Sequence, residues 1–254
     1  MKKIEFLAWC LLVGVGTLII LSSWPSSLGT LQASGLMPKS LEEPNGVPRR
    51  YILYIPRDYN SSHPIPLVVS LHGAADGGVD GRSQLKLGLG PEVWMRHRSD
   101  KPFPYFVLFP QARNSWSTDI ADRRAVIQML DITLKEYVID TERIYLTGFS
   151  TGGEGVLRLA AEHSERWAAI VPVSCNSSCI NIDQIKHLPI RWYQNRHNRI
   201  GEIRNKIAEI KKFGGSAKLI EYDDLSHDAW TRAYADPALY DWLNRRTRNQ
   251  YTEL

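Results

Sequence analysis

Cysteine is scarce in this sequence, with three among 254 residues, at 10, 175 and 179. A chain of this length buries enough surface for one fair-sized domain that needs no staples. Two cysteines without a nearby histidine pair do not fill the four positions of a structural zinc site. There is no H-E-x-x-H, no phosphate-binding glycine loop and no dinucleotide fingerprint, so no cofactor or metal is implied. Nor does any stretch interleave aromatics with a dense basic stripe. The formal charge of +4 owes much to Arg245, Arg246 and Arg248, which read as a solvated helix end, and nucleic acid is not an expected partner. Internal repeats and low-complexity blocks are also missing. What remains is an ordinary globular composition, 43% hydrophobic and 23% charged.

The N-terminus departs from that average. Lys2 and Lys3 precede FLAWCLLVGVGTLIILSSW, residues 6–24, which carry no charge and are long enough to cross a bilayer as a helix. Two readings of segment 1–24 stand, an uncleaved signal anchor and a removed signal peptide. The anchor is favoured because the apolar stretch exceeds the usual signal-peptide core and Ser27-Leu28-Gly29 is a poor cleavage site. In both, the charge at the short N-terminal end puts the rest of the chain on the non-cytoplasmic side, periplasmic or extracellular. That compartment permits oxidation, so Cys175 and Cys179 in SCNSSC read as a disulfide closing a small loop, with two thiols as the alternative.

Residues 25–48 are rich in Pro, Gly and Ser and read as a linker. From 49 to 246, short apolar runs alternate with longer periodic stretches, ahead of a tail at 247–254. The runs are YILYI (51–55), PLVVSLHG (66–73), YFVLFP (105–110), RIYLT (143–147), AAIVPVS (168–174), PIRWY (189–193) and KLIEYD (218–223). Helices are predicted over 119–137, where Val126, Met129, Leu130, Thr133 and Tyr137 recur on one face, and over 152–163, 201–213 and 236–246. Buried strands alternating with helices predict an α/β fold, a mostly parallel sheet covered on both faces.

In such a sheet, functional groups collect at the C-terminal ends of the strands. Gly148-Phe149-Ser150-Thr151-Gly152 fits G-x-S-x-G, follows RIYLT directly and precedes a helix. That strand-turn-helix context makes Ser150 a candidate nucleophile, because a tight turn lifts its hydroxyl clear and needs glycines at 148 and 152. The Thr151 N–H then lies at a helix N-terminus, where partial positive charge favours an oxyanion. A serine needs a base, and His227 follows the last strand in DDLSHDAW, in the order expected for this architecture. His72, in LHGAA, reads as a ring that braces its loop, leaving the Ala74 N–H to point at a substrate oxygen beside that of Thr151.

These residues resemble α/β-hydrolases of the secreted esterase type, near the polyhydroxybutyrate-depolymerase-like and feruloyl-esterase-like enzymes and related predicted peptidases. The likeness is carried in order by RRYILYIPRDY, LVVSLHGAADGG, QLKLGLG, FPQARNSWS, DTERIYLTGFSTGG, WAAIVPVS and SHDAWTRAYADPALYDWL. It implies an α/β-hydrolase fold, with Ser150 as nucleophile, His227 as base, and Ala74 and Thr151 N–H groups as oxyanion hole. One segment departs. The group usually carries His-Gly-x-x-Asp after the penultimate strand, and here Gln194 and Asn195 stand over His-Gly and Asn198 over the aspartate. The acid that orients the histidine is missing from its place, and Asp183 is the alternative source of one. An amide can orient the ring but cannot neutralise an imidazolium, so a slowed enzyme is expected. The resulting expectation is a serine hydrolase of small-molecule or polymeric carboxylic esters, tethered to a membrane or exported. A hydrolase-fold binding protein and a peptidase are the alternatives.

Overall fold

Residues 34–44, 46–178, 180–196 and 200–251 are described by a computed structural model. Eight strands form one sheet: β1 (Gly35–Leu41), β2 (Arg49–Ile55), β3 (Ile65–Leu71), β4 (Phe106–Pro110), β5 (Ile139–Phe149), β6 (Ala169–Val173), β7 (Ile190–Asn195) and β8 (Ala217–Tyr222), in the order β1-β2-β4-β3-β5-β6-β7-β8. β2 pairs antiparallel with both β1 and β4, and the pairings from β4 through β8 are parallel. The central strands read as unbroken apolar runs because both of their faces are covered. On one face Leu67, Val69, Leu146 and Trp192 pack with Met129 and Leu130 of α2 (Ile120–Glu136), Leu157 of α3 (Thr151–Glu162) and Ile207 of α4 (Ile200–Lys212). On the other, Val68, Tyr145, Val171 and Tyr193 meet Val93 of α1 (Leu89–His97), Tyr234 of α5 (Trp230–Ala235) and Trp242 of α6 (Pro237–Leu243).

Three predicted boundaries are corrected and two helices are added. The stretch 25–48 is not all linker, since residues 35–41 add β1 to the sheet edge. Its alternation is weak and it holds Pro38, which an edge strand tolerates because it pairs on one side only. The predicted helix 236–246 is the shorter α6, begun by Pro237 in its first turn behind an Asp236 side chain that accepts from the Ala238 N–H. α5 and α1 add to the prediction. α1 was hidden because its Gly90 and Pro91 read as breakers, while Trp94 and Met95 lie exposed and blur the period. Finally, the tail begins with a 3₁₀ turn, Arg248–Tyr251, with Arg248 bonded to Glu142 at 2.5 Å.

The signal or anchor segment 1–24 lies outside the described residues. Among the described residues, no helix is long and apolar enough to cross a membrane.

Candidate active site

β5 delivers its last residue, Phe149, to the top of the sheet, and α3 leaves from Thr151. Between them Ser150 takes φ 55°, ψ −125°, with its N–H held by the Val173 carbonyl at 2.9 Å and its own carbonyl accepting from Glu154 in the first helical turn at 3.2 Å. This region is strained for an L-residue and persists only where neighbours enforce it. Those two backbone bonds hold it there, and the surrounding backbone leaves no room for side chains at the flanking glycines. A Cβ at 148 would lie 2.6 Å from the Gly152 carbonyl oxygen, and one at 152 would lie 2.3 Å from that of Leu71. Glycine is therefore required at both positions, for the reason read in the sequence.

His227 reaches the elbow from the loop after β8. Its Nε2 is 2.9 Å from Ser150 Oγ, although the two lie 77 residues apart. Trp230 stands edge-on to the imidazole, with centroids 5.4 Å apart at 84°, and stacks on Phe149 at 4.6 Å. The sequence reading did not single out Trp230. Its place in SHDAW, three residues beyond His227, was the available signal. Also missed were two residues that bind the loop carrying His227, Ser174 and, in this role, Asn195. Asn195 Nδ2 donates to the Ser226 carbonyl at 3.0 Å, and the Ala229 N–H donates to Ser174 Oγ at 3.2 Å.

Facing the elbow is the turn after β3. Gly73 is extended and Ala74 opens a 3₁₀ turn, Ala74–Asp76. Among the described residues, the Ala74 and Thr151 N–H groups have no acceptor in the protein. His72 is 3% exposed and braces the turn. Its Nε2 accepts from the Ala112 N–H at 3.0 Å, which leaves Nδ1 to donate to the Gly73 carbonyl at 2.7 Å. Burial pushes its pKa below the ordinary histidine value, so the ring is neutral and serves as a strut. Trp116 adds a bond from its indole N–H to the His72 carbonyl at 3.1 Å.

The expected third member, Asn198, lies outside the described residues. Its alternative, Asp183, is exposed and paired with Lys186 at 2.9 Å. The carboxylates near His227 in sequence are also engaged. Asp223 pairs with Arg196 at 2.9 Å, Asp224 accepts from the Ser226 N–H at 2.7 Å, and Asp228 caps the Thr231 N–H at 2.9 Å. Cys175 is buried beside the start of α3, while Cys179, its expected disulfide partner, lies outside the described residues.

A strained serine between a parallel strand and a helix, with a late histidine bonded to it, fits an α/β-hydrolase. Residues 114–245 match the prolyl oligopeptidase family, Peptidase_S9, and the chain belongs to this family. Feruloyl esterase B of Talaromyces stipitatus is 23% identical over 245 residues, covering 84% of this chain and 65% of its own length. The bifunctional acetylxylan esterase/xylanase XynS20E of Neocallimastix patriciarum is 38% identical over 74 residues, 28% of this chain and 11% of its own. Among solved structures, a thermostable esterase superposes with a TM-score of 0.73 at 30% identity, over 84% of this chain and 63% of its own. The chain thus spans less than two thirds of the length of each of these three relatives.

Proposed function

We propose that this protein is a serine hydrolase that cleaves carboxylic esters through an acyl-serine intermediate. The observation that carries the reading is the 2.9 Å contact between His227 Nε2 and Ser150 Oγ at a strained elbow. In this reading His227 takes the hydroxyl proton as Ser150 attacks the ester carbonyl. The tetrahedral oxyanion is held by the Ala74 and Thr151 N–H groups, and His227 returns the proton to the departing alkoxide. Water then repeats the sequence on the acyl-enzyme. Asn198 orients the imidazole without a charge, and the ion pair that Asp183 makes with Lys186 supports an ordinary surface role for that carboxylate.

An ester is preferred to an amide because an uncharged third member weakens the base, and an alkoxide needs less help to leave than an amine. The esterase relatives favour the same choice, and the substrate is read as a small-molecule or polymer-borne ester. The family's name keeps a peptidase as the second reading. Residues 6–24 are proposed to hold or export the domain on the far side of a membrane, on the strength of their uncharged length behind Lys2 and Lys3.

A fluorophosphonate probe tests the assignment. The wild type labels and Ser150→Ala does not, whereas equal labelling of the two would eliminate Ser150 as nucleophile. Asn198→Asp is expected to raise kcat on an activated short-chain ester by at least about tenfold, against a penalty of about 10⁴ when a serine protease loses its aspartate. A flat response to that change, together with loss of activity in Asp183→Asn, would move the third role to Asp183.

A further inference from the structure

Among the described residues, two non-glycine residues have positive φ, and the nucleophile is one of them. The other is Ser174, at φ 47°, the first residue beyond β6. It is 2% exposed, its N–H donates to the Tyr193 carbonyl of β7 at 2.9 Å, and its Oγ accepts from the Ala229 N–H at 3.2 Å. A left-handed serine is uncommon and needs a reason. The preceding residue supplies a clue, since the Val173 carbonyl holds the Ser150 N–H at 2.9 Å. Two adjacent residues at the end of β6 therefore grip the nucleophile on one side and the base loop on the other.

At the end of the neighbouring strand, Asn195 is 1% exposed and bonds the same loop three residues before Ala229. Its Nδ2 donates to the Ser226 carbonyl at 3.0 Å and contacts Ser226 Oγ at 3.2 Å. Residues 223–227 are otherwise solvent-exposed, so His227 rides on a segment with little burial of its own. The backbone is pinned on both sides of the histidine, at 226 and at 229, by side chains from β6 and β7.

We propose that Ser174 and Asn195 are positioning residues that fix the His227 loop against the sheet and so set the Ser150–His227 separation. The inference rests on the hydrolase reading of the site. The left-handed turn at Ser174 aims Oγ at the loop, and the strain of that turn is retained for catalysis rather than for stability. A serine replaced there by glycine relaxes the backbone but leaves the buried Ala229 N–H without its acceptor, so the two effects on stability oppose each other while activity falls.

The experiment compares the wild type, Ser174→Gly and Asn195→Ala in p-nitrophenyl acetate hydrolysis, fluorophosphonate labelling rate and thermal unfolding. For Ser174→Gly, assayed at a temperature where unfolding shows the variant to be native, the expected result is kcat lowered about tenfold to a hundredfold at constant KM, the scale of a small misplacement of a reacting group. Asn195→Ala lowers kcat and the labelling rate in the same way, again at constant KM. If both variants keep kcat and labelling within about twofold of the wild type, or if activity falls only by the fraction that is unfolded at the assay temperature, the positioning role is overturned and the contacts are merely structural. A wild type that neither hydrolyses the ester nor labels overturns the hydrolase reading itself, and this inference with it.

Discussion

Ser150 occupies a backbone region that neighbouring groups must enforce: its N–H and carbonyl are held by Val173 and Glu154, and the carbonyl oxygens of Gly152 and Leu71 leave no room for a Cβ at 148 or 152. An added methyl at 152 would sit 2.3 Å from the Leu71 oxygen, well inside contact distance, so the first turn of α3 would have to withdraw from β3. Overpacking of this kind costs about 1–3 kcal/mol. Gly152→Ala is therefore expected to lower Tm and to slow fluorophosphonate labelling by more than the unfolded fraction explains, because Ser150 and the Thr151 N–H move with that turn. Labelling at the wild-type rate in a folded variant would show that the elbow tolerates a side chain. Ser150 and His227 were legible in the sequence because a glycine-flanked serine after an apolar run, and a histidine after the last run, are local patterns with a fixed order. Ser174 was not legible. Its role depends on a positive φ and on an amide 55 residues away, and neither leaves a mark on AAIVPVS.

At the level of elements, the turn that carries Ala74 is held by a second loop, and that loop is held by a helix end. Asp122, in the first turn of α2, has a fully buried carboxylate that accepts from the N–H groups of Arg113, Asn114 and Ser115 at 2.8–3.1 Å and pairs with Arg49. Those contacts fold 111–117 so that the Ala112 N–H and the Trp116 indole both reach His72. Removing the carboxylate leaves three amides unpaired and the half of Arg49 that faces α2 without its partner. Asp122→Ala is expected to lose about 3–5 kcal/mol of stability by urea denaturation, as other broken buried pairs do, and to raise KM as the Ala74 turn loosens. A loss under about 1 kcal/mol would mean that Glu43, which also pairs with Arg49 and Arg113, suffices. The sequence marked the central strands and the three long helices clearly, since each buries a full face. It marked β1 and α1 poorly, because an edge strand and a helix with exposed Trp94 and Met95 bury only part of theirs. The strand order also went unread, as periodicity identifies strands but not the placement of β4 between β2 and β3.

For the whole molecule, the dependence of stability on pH follows from the struts beneath the site. In the folded state His72 accepts the Ala112 N–H at Nε2, and a proton on that nitrogen would set two donors face to face in a buried place. Burial is the largest cause of its lowered pKa, while the bond to Gly73 and the charges of Asp122 and Asp80 pull weakly the other way. Unfolding frees the ring to take a proton near the ordinary value of about 6.5. Above that pH both states are neutral and the contribution is complete. As pH falls below it, the unfolded chain binds a proton that the native state refuses, so stability declines until the lower folded value is reached. Asp80 and Asp119 have pKa values lowered mainly by hydrogen bonds from Ser83 and Asn114, respectively. Their contribution disappears only at more acid pH, below about 4, so the two windows separate. Urea midpoints are therefore expected to fall between about pH 7 and about pH 5, before the carboxylates titrate. His72→Gln, which keeps an acceptor for the Ala112 N–H but cannot be protonated in this range, should reduce that slope, leaving the share of His187, whose pKa burial also lowers. An unchanged slope in the variant would remove His72 from the account and place the acid sensitivity elsewhere in the fold.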